Sequence, residues 1–247
     1  MNTANRPSWW ESVLGLVFPP VCQICHDERA TAAEGYVGSE CRRRIRYIRA
    51  PYCQRCGLPF AGGVTQEFEC SNCRELTLHF TSSRAVAEAK GPILEAIHQF
   101  KYQRALWFRP FLTELLLQEA LPALRAASAP WHGIVPVPLH PVKQREREFN
   151  QAQLLAEPLA ESLQIPLRND LVERITPTES QTTLSRAERS ENVQRAFDRR
   201  PGVQLQNQRL IVLDDVFTTG ATTNGVARVL REAGAAEVVV WAVARGI

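Results

Sequence analysis

Beyond residue 84 the chain alternates between short, solid apolar runs and longer stretches whose apolar residues recur with helical spacing. Ala85-Val86-Ala87 opens the pattern as a first strand. Gly91-Pro92 then starts a helix, with Ile93, Leu94, Ile97 and Phe100 following at i, i+1, i+4 and i+7. A second helix is predicted over residues 107–121, closed off by Ser128-Ala129-Pro130, and residues 134–137 follow as a short buried strand. Residues 150–163 read as a helix with Leu154, Leu155, Leu159 and Leu163 on or near one face. A strand at 171–174 leads into a polar, arginine-rich stretch at 175–200. That stretch is too long and too polar for an ordinary connection, so a lid or a disordered segment is expected there. An apolar run at 210–213, a helix at 222–233 with Gly234 as C-cap, and a strand at 238–243 complete the order. Strands alternating with helices predict an α/β fold with a doubly wound parallel sheet.

The first third follows another logic. All seven cysteines lie there, and three pairs, 22/25, 53/56 and 70/73, have C-x-x-C spacing. Such a knuckle lets two thiolates reach one tetrahedral Zn²⁺. Cys53, Cys56, Cys70 and Cys73 make a complete four-thiolate ribbon. Cys22, Cys25 and Cys41 supply three ligands, but Arg44 stands where a fourth cysteine would complete the last knuckle. His26 is a candidate fourth ligand, and the alternatives are another residue or a metal-free remnant. One or two structural zinc ions are therefore expected, supplying folding energy to a segment poor in core residues. The pairs do not sit between a strand and a helix, which argues against a thioredoxin-like redox motif. The boundary falls within residues 76–84. This divides the chain into an N-terminal helix and zinc ribbon over 1–80 and an α/β domain over 81–247.

The segment LIVLDDVFTTGAT, residues 210–222, concentrates the chemistry. Its apolar strand is followed by Asp214 and Asp215, then by Thr218, Thr219, Gly220, Ala221 and Thr222, where a helix begins. A helix N-terminus flanked by hydroxyls and a glycine offers backbone and side-chain donors to a phosphate. Two carboxylates one step earlier suit sugar hydroxyls or a metal. Together they describe a pocket for a sugar phosphate. No G-x-x-x-x-G-K-[ST] occurs upstream, which argues against a P-loop nucleotidase.

At 247 residues and a net charge of +3, the chain is too weakly basic for charge alone to name nucleic acid as its partner. Distribution adds one feature. Six arginines (42, 43, 44, 46, 49 and 55) and no acid lie between Cys41 and Cys56. Such a run is usually a solvated face, with nucleic-acid or phosphate contact as the alternative. No apolar run reaches membrane-spanning length, so no integral membrane segment is expected. The apolar segment at 9–18 is short and lacks the marks of a signal peptide. It is expected to form an amphipathic helix on the body of a cytoplasmic protein whose cysteines are reduced or metal-bound.

The strand, the two acids and T-T-G-A-T closely resemble the phosphoribosyl-pyrophosphate (PRPP) signature of type I phosphoribosyltransferases. The chain as a whole resembles the ComF family, whose members pair an N-terminal double zinc ribbon with a phosphoribosyltransferase-like domain. Val135-Pro136-Val137-Pro138-Leu139-His140-Pro141 matches that family's first-loop motif. Arg145, Arg147 and Phe149-Asn150-Gln151-Ala152 continue it in the position of the pyrophosphate loop, and Lys101-Tyr102 matches a further pair. Arg174, Thr176, Gln181, Leu184, Arg186, Arg189, Asn192, Val193, Ala196 and Phe197 match a block that resembles the flexible hood closing over PRPP in amidotransferases of related fold.

The resemblance implies a type I phosphoribosyltransferase-like parallel sheet with a flexible hood, preceded by the small zinc-ribbon domain. It further implies that Asp214 and Asp215 hold the ribose hydroxyls and help order Mg²⁺. The 5′-phosphate would lie on Thr218, Thr219, Gly220, Ala221 and Thr222. Pyrophosphate would meet Leu139, His140, Arg145 and Arg147, with Arg186 and Arg189 closing from the hood. Glu148 departs from the family's glycine, and a carboxylate facing that site would repel the ligand. Two classes of function follow. One is a Mg²⁺-dependent phosphoribosyltransferase of unnamed acceptor, acting in DNA uptake or utilisation or in nucleotide metabolism. The other is a non-catalytic competence protein that binds single-stranded DNA or DNA-uptake proteins and uses the PRPP pocket as a sensor. Lys101 reads as a surface charge at a helix end, and Trp241 either stacks on a base or packs in the core.

Overall fold

The computed structural model describes residues 20–60, 62, 67–176 and 195–247. The expected helix at 9–18 and the hood residues Gln181, Leu184, Arg186, Arg189, Asn192 and Val193 lie outside the described residues.

Four parallel strands form the centre of the molecule: β1 (Ser82–Glu88), β2 (Gly133–Pro136), β5 (Arg209–Phe217) and β6 (Glu237–Arg245), in the order β1-β6-β5-β2. β5 and β6 are mainly apolar runs buried almost end to end, as strands covered on both faces require. Strand alternation sends their side chains to two separate cores. Ile211, Leu213, Val239, Trp241 and Val243 pack on one face with the helices α3 (Gly91–Tyr102), α4 (Arg109–Arg125) and α6 (Gln151–Leu163). Leu210, Val212, Val238, Val240 and Ala242 pack on the other with α7 (Ala221–Glu232). Trp241 is 8% exposed within the first core, so the packing alternative holds for it.

The expected elements recur with shifted ends, and three differences matter for function. The strand read at 171–174 is β3 (Val172–Arg174), which stands outside the parallel sheet. It forms an antiparallel hairpin with β4 (Phe197–Arg199), whose three residues are too few to show a period. Residues 141–147 form a short helix, α5 (Pro141–Arg147), with His140 as N-cap and Pro141 in the first turn. β5 does not stop before the carboxylates but runs through both of them to Phe217.

Two one-turn helices, α1 (Ser39–Arg43) and α2 (Ser71–Glu75), belong to the cysteine-rich segment. That segment does not stand apart. Cys22, Cys41 and Ile45 share a core with Phe108 and Phe111, and Cys53, Cys56 and Phe80 share the other core with Phe217 and Val226.

Candidate functional site

The loops after β2 and β5 open on the same edge of the sheet, because the strands are parallel neighbours. From β2 the chain runs outward to Leu167, which bridges Ile134 in parallel, whereas from β5 it runs the opposite way to β6. The connecting helices α6 and α7 lie mainly on opposite faces. This reversal is the topological switch point of an open α/β sheet, where the strand ends leave a crevice for a ligand. Leu139, His140, Arg145 and Arg147 come from one side of it, and Asp214 through Thr222 from the other.

Asp214 and Asp215 are neighbours on a strand, so their side chains leave on opposite faces. Asp215 is 1% exposed, and its Oδ2 lies 2.7 Å from Lys101 Nζ, at the end of α3. Its Oδ1 accepts from the Val216 amide at 2.8 Å. Asp214 is 9% exposed, and its Oδ1 accepts from the Asp215 amide at 2.9 Å. Burial pushes the Asp214 carboxyl up to about 6 although Lys101, Arg174 and Arg147 all pull it down. Burial likewise lowers Lys101, against the attraction of Asp214. The surface-charge reading of Lys101 is thereby corrected: its side chain is 19% exposed and bound to the second carboxylate. Lysine at the last turn of an amphipathic helix carries no sequence signal that distinguishes these roles. With two acids and three cations around one crevice, the site favours a polyanion.

The turn after β5 is shaped for close approach. Gly220 has φ +79°, and a Cβ there would come within 2.5 Å of the Phe217 ring. The Ala221 amide points to Thr219 Oγ1 at 3.4 Å, and the Thr223 hydroxyl donates to the Gly220 carbonyl at 3.1 Å. The first amides of α7 have no intrahelical acceptors and face the turn that Thr218, Thr219 and Thr222 surround.

On the β2 side, each residue of Phe149-Asn150-Gln151-Ala152 has a positioning task. Phe149 packs on Phe100, with ring centroids 5.6 Å apart. Asn150 caps α6 by accepting from the Ala152 amide at 3.0 Å and donates to the Val137 carbonyl at 3.0 Å, fixing α6 to the end of β2. Gln151 accepts from Arg147 at 2.6 Å, and the Arg147 guanidinium stacks over the Tyr102 ring at 5.0 Å. His140 caps α5 through Nδ1, which accepts from the Val142 amide at 3.3 Å. Arg145 is exposed on α5. Glu148 sits at φ +70°, the left-handed region, which is why a glycine suits this position; its carboxylate pairs with Arg104 at 3.1 Å. Arg174 stacks on Phe197 and acts on Asp214 by charge, so the β3–β4 hairpin brings a cation to the crevice.

The four sulfurs of Cys53, Cys56, Cys70 and Cys73 converge. Four sulfurs bound tetrahedrally to zinc at about 2.3 Å lie about 3.8 Å apart. Cys53 and Cys73 are 3.8 Å apart and Cys56 and Cys70 3.7 Å, so these residues fit the metal. The second cluster is Cys22, Cys25, Cys41 and Glu28. His26 does not join it, being exposed at φ +61°. Glu28 does, with Oε1 3.7 Å from Cys25 Sγ, while its two oxygens accept from the Cys41 and Glu40 amides at 3.1 and 2.9 Å. Three thiolates and a carboxylate are a competent zinc set. A lone glutamate three residues past a knuckle gave no spacing signal.

Acids supplied from elsewhere largely neutralise the arginine run. Arg42 pairs with Glu114 at 2.8 Å, Arg49 with Glu119 at 2.6 Å, Arg46 with Glu88 and Arg55 with Glu69 at 3.8 Å, and Arg43 with Glu40. Among the described residues, no helix is long and apolar enough to cross a membrane. A separate groove of about 520 Å³ between α4 and α6, lined by Arg109, Thr113, Glu114, Leu117 and Pro158 among others, contains none of the crevice residues or cysteines.

Residues 13–75 match the double zinc ribbon domain family. The DNA utilization protein YhgH of Salmonella typhi is 34% identical over 93% of this chain and 99% of its own length. Competence protein F of Haemophilus influenzae is 31% identical over 91% of this chain and 96% of its own. Among solved structures, adenine phosphoribosyltransferase from Leishmania tarentolae is similar at 21% identity and a TM-score of 0.35, over 63% of this chain and 61% of that one. Relatives of that identity along nearly their whole length show that the chain belongs to the ComF family of competence and DNA-utilisation proteins.

Proposed function

We propose that this protein binds PRPP with Mg²⁺ at the switch-point crevice and transfers its phosphoribosyl group within DNA utilisation. The observation that carries the reading is the convergence there of Asp214, the Lys101–Asp215 pair and the hydroxyl-lined start of α7. In this reading residues 81–247 hold the ligand and residues 1–80 carry the zinc centres, in a cytoplasmic protein.

Departure of pyrophosphate from C1′ develops positive charge on the sugar and negative charge on the leaving group. The chain's task is to position both and to stabilise that charge. Asp214 faces the ribose hydroxyls as an acceptor, and Asp215, held by Lys101, fixes the strand end beneath it. Thr218, Thr219, Thr222 and the first amides of α7 receive the 5′-phosphate. Arg147, fixed by Gln151 and Tyr102, meets the pyrophosphate beside Arg145, and bound Mg²⁺ supplies further neutralisation. Calorimetry with PRPP and Mg²⁺ tests the reading: saturable binding that Asp214→Asn abolishes supports it, and no heat at millimolar ligand removes it.

Single-stranded DNA as a direct ligand of the arginine run is the second reading, favoured by the names of the relatives. The ion pairs at Arg42, Arg43, Arg46, Arg49 and Arg55 narrow it to Arg44, which is exposed. Salt-sensitive DNA binding lost in Arg44→Glu, with PRPP binding intact, would favour it.

A further inference from the structure

The last residue of β6, Arg245, is 7% exposed. A buried guanidinium needs an anion. Among the described residues no carboxylate pairs with it; it reaches the zinc knuckle instead. Nη1 donates to the Cys56 carbonyl at 2.5 Å and Nη2 to Cys56 Sγ at 3.4 Å. Zinc bound by four thiolates carries a net charge of about −2, which supplies the missing counter-charge.

The same guanidinium lies over the Phe217 ring, 4.7 Å from its centroid, and Phe217 is its strand partner across β5 and β6. Phe217 is the ring against which Gly220 closes, with no room for a Cβ between them. The Gly246 amide, next to Arg245, donates to the Phe217 carbonyl at 2.9 Å. A second strut runs parallel to this one. Asn224, 3% exposed on α7, accepts from the His79 amide at 2.7 Å and donates to the Thr77 carbonyl at 2.9 Å. Those two residues lie just beyond Cys73.

We infer that Arg245 is a positioning residue that couples the Cys53/Cys56/Cys70/Cys73 zinc centre to the phosphate-binding turn at 217–224, so that zinc occupancy sets how tightly that turn holds its ligand. The ligand rests on the reading above; the coupling rests on the contacts just given. Outer partners of metal ligands change metal affinity when removed, and coupling between two sites is reciprocal. PRPP therefore retains zinc against a chelator by the same factor that zinc strengthens PRPP.

The test uses the full-length protein with cobalt or zinc in the ribbon, compared as wild type, Arg245→Met and Arg245→Lys. In the wild type, PRPP–Mg²⁺ is expected to shift the thiolate-to-cobalt absorption band. Removing the metal is expected to speed amide exchange at residues 217–224 in the absence of PRPP. Arg245→Met should lose the spectral shift and weaken PRPP binding about tenfold at full metal loading, with Arg245→Lys restoring part of it. Unchanged exchange at 217–224 on metal removal would overturn the coupling. So would a wild-type PRPP affinity in fully loaded Arg245→Met. If the loaded wild type binds no PRPP, the ligand reading falls, and the exchange comparison alone decides the coupling.

Discussion

Lys101 Nζ and Asp215 Oδ2 form an ion pair at 2.7 Å in which both side chains are mostly buried, at 19% and 2% exposure. The pair joins the end of α3 to β5 at the point where the strand reaches the crevice. Asp215 Oδ2 makes no aligned hydrogen bond among the described residues, so this ion pair is the contact that compensates its burial. Removing one partner of a buried pair leaves an uncompensated charge, which costs about 3 kcal/mol or more. Lys101→Met is expected to lose about that much stability in urea at pH 7. Lys101→Met combined with Asp215→Asn should recover a large part of it. A cost below about 0.5 kcal/mol for the single variant, the range of an ordinary surface change, would contradict the burial of the pair.

Asp214 gives the fold a pH dependence of definite sign. Its carboxyl is raised from an ordinary value of 3.8 to about 6 by burial. Between those values the folded chain holds a proton that the unfolded chain has released. Stability is therefore fully present below about pH 4, declines as pH rises to about 6, and is level above it, with a total loss of up to about 3 kcal/mol. Asp214→Asn should flatten this part of the profile and be more stable than the wild type at pH 7.5, though not at pH 4. Binding runs the other way, because the ionised carboxylate is the stronger acceptor for the ribose hydroxyls. PRPP affinity should rise from pH 5 to 7 in the wild type. Thermal melts and titrations at three pH values check both.

The signature at 210–222 was legible because its parts are local: strand, acids, hydroxyls and helix start are contiguous, and the four-thiolate ribbon follows from spacing alone. Lys101, Arg174 and Glu28 were not, for a common reason. Each acquires its role from a partner brought in by tertiary packing: Asp215 for Lys101, Asp214 and Phe197 for Arg174, and the thiols of Cys22, Cys25 and Cys41 for Glu28. The arginine run showed its cations but not their partners, since Glu114 and Glu119 lie on α4 and Glu88 on β1, remote in sequence from residues 42–55. The extension of β5 through both aspartates was hidden because charged residues depress a strand reading, while here pairing with β6 continues to Phe217.

Glu148 separates backbone strain from charge. Its φ of +70° costs a residue with a Cβ about 1 kcal/mol, and its pairing with Arg104 is too exposed to offset that. Glu148→Gly and Glu148→Ala both remove the carboxylate beside the pyrophosphate loop, so both should raise PRPP affinity at low salt by a similar factor, fading as salt is added. Only glycine relieves the backbone, and it should be the more stable of the two variants by up to about 1 kcal/mol, part of the gain being cancelled by chain entropy. Equal stabilities would place the strain elsewhere.

Glu28 decides the metal count. Its carboxylate stands where the fourth ligand of the first cluster belongs, and it also caps α1 through the amides of Glu40 and Cys41. The wild type is expected to carry two zinc ions per chain. Glu28→Gln keeps an oxygen that can accept from those amides but lacks the anionic ligand, so the folded variant should retain one zinc, at the four-thiolate centre. Glu28→Ala loses cap and ligand together and should lower stability further, by about 1 kcal/mol for the cap alone. Cys53→Ser should instead abolish the four-thiolate centre and leave the Glu28 site loaded. Elemental analysis of the purified variants, with stability measured in parallel, distinguishes these outcomes. Two zinc ions in Glu28→Gln would show that another residue completes the site.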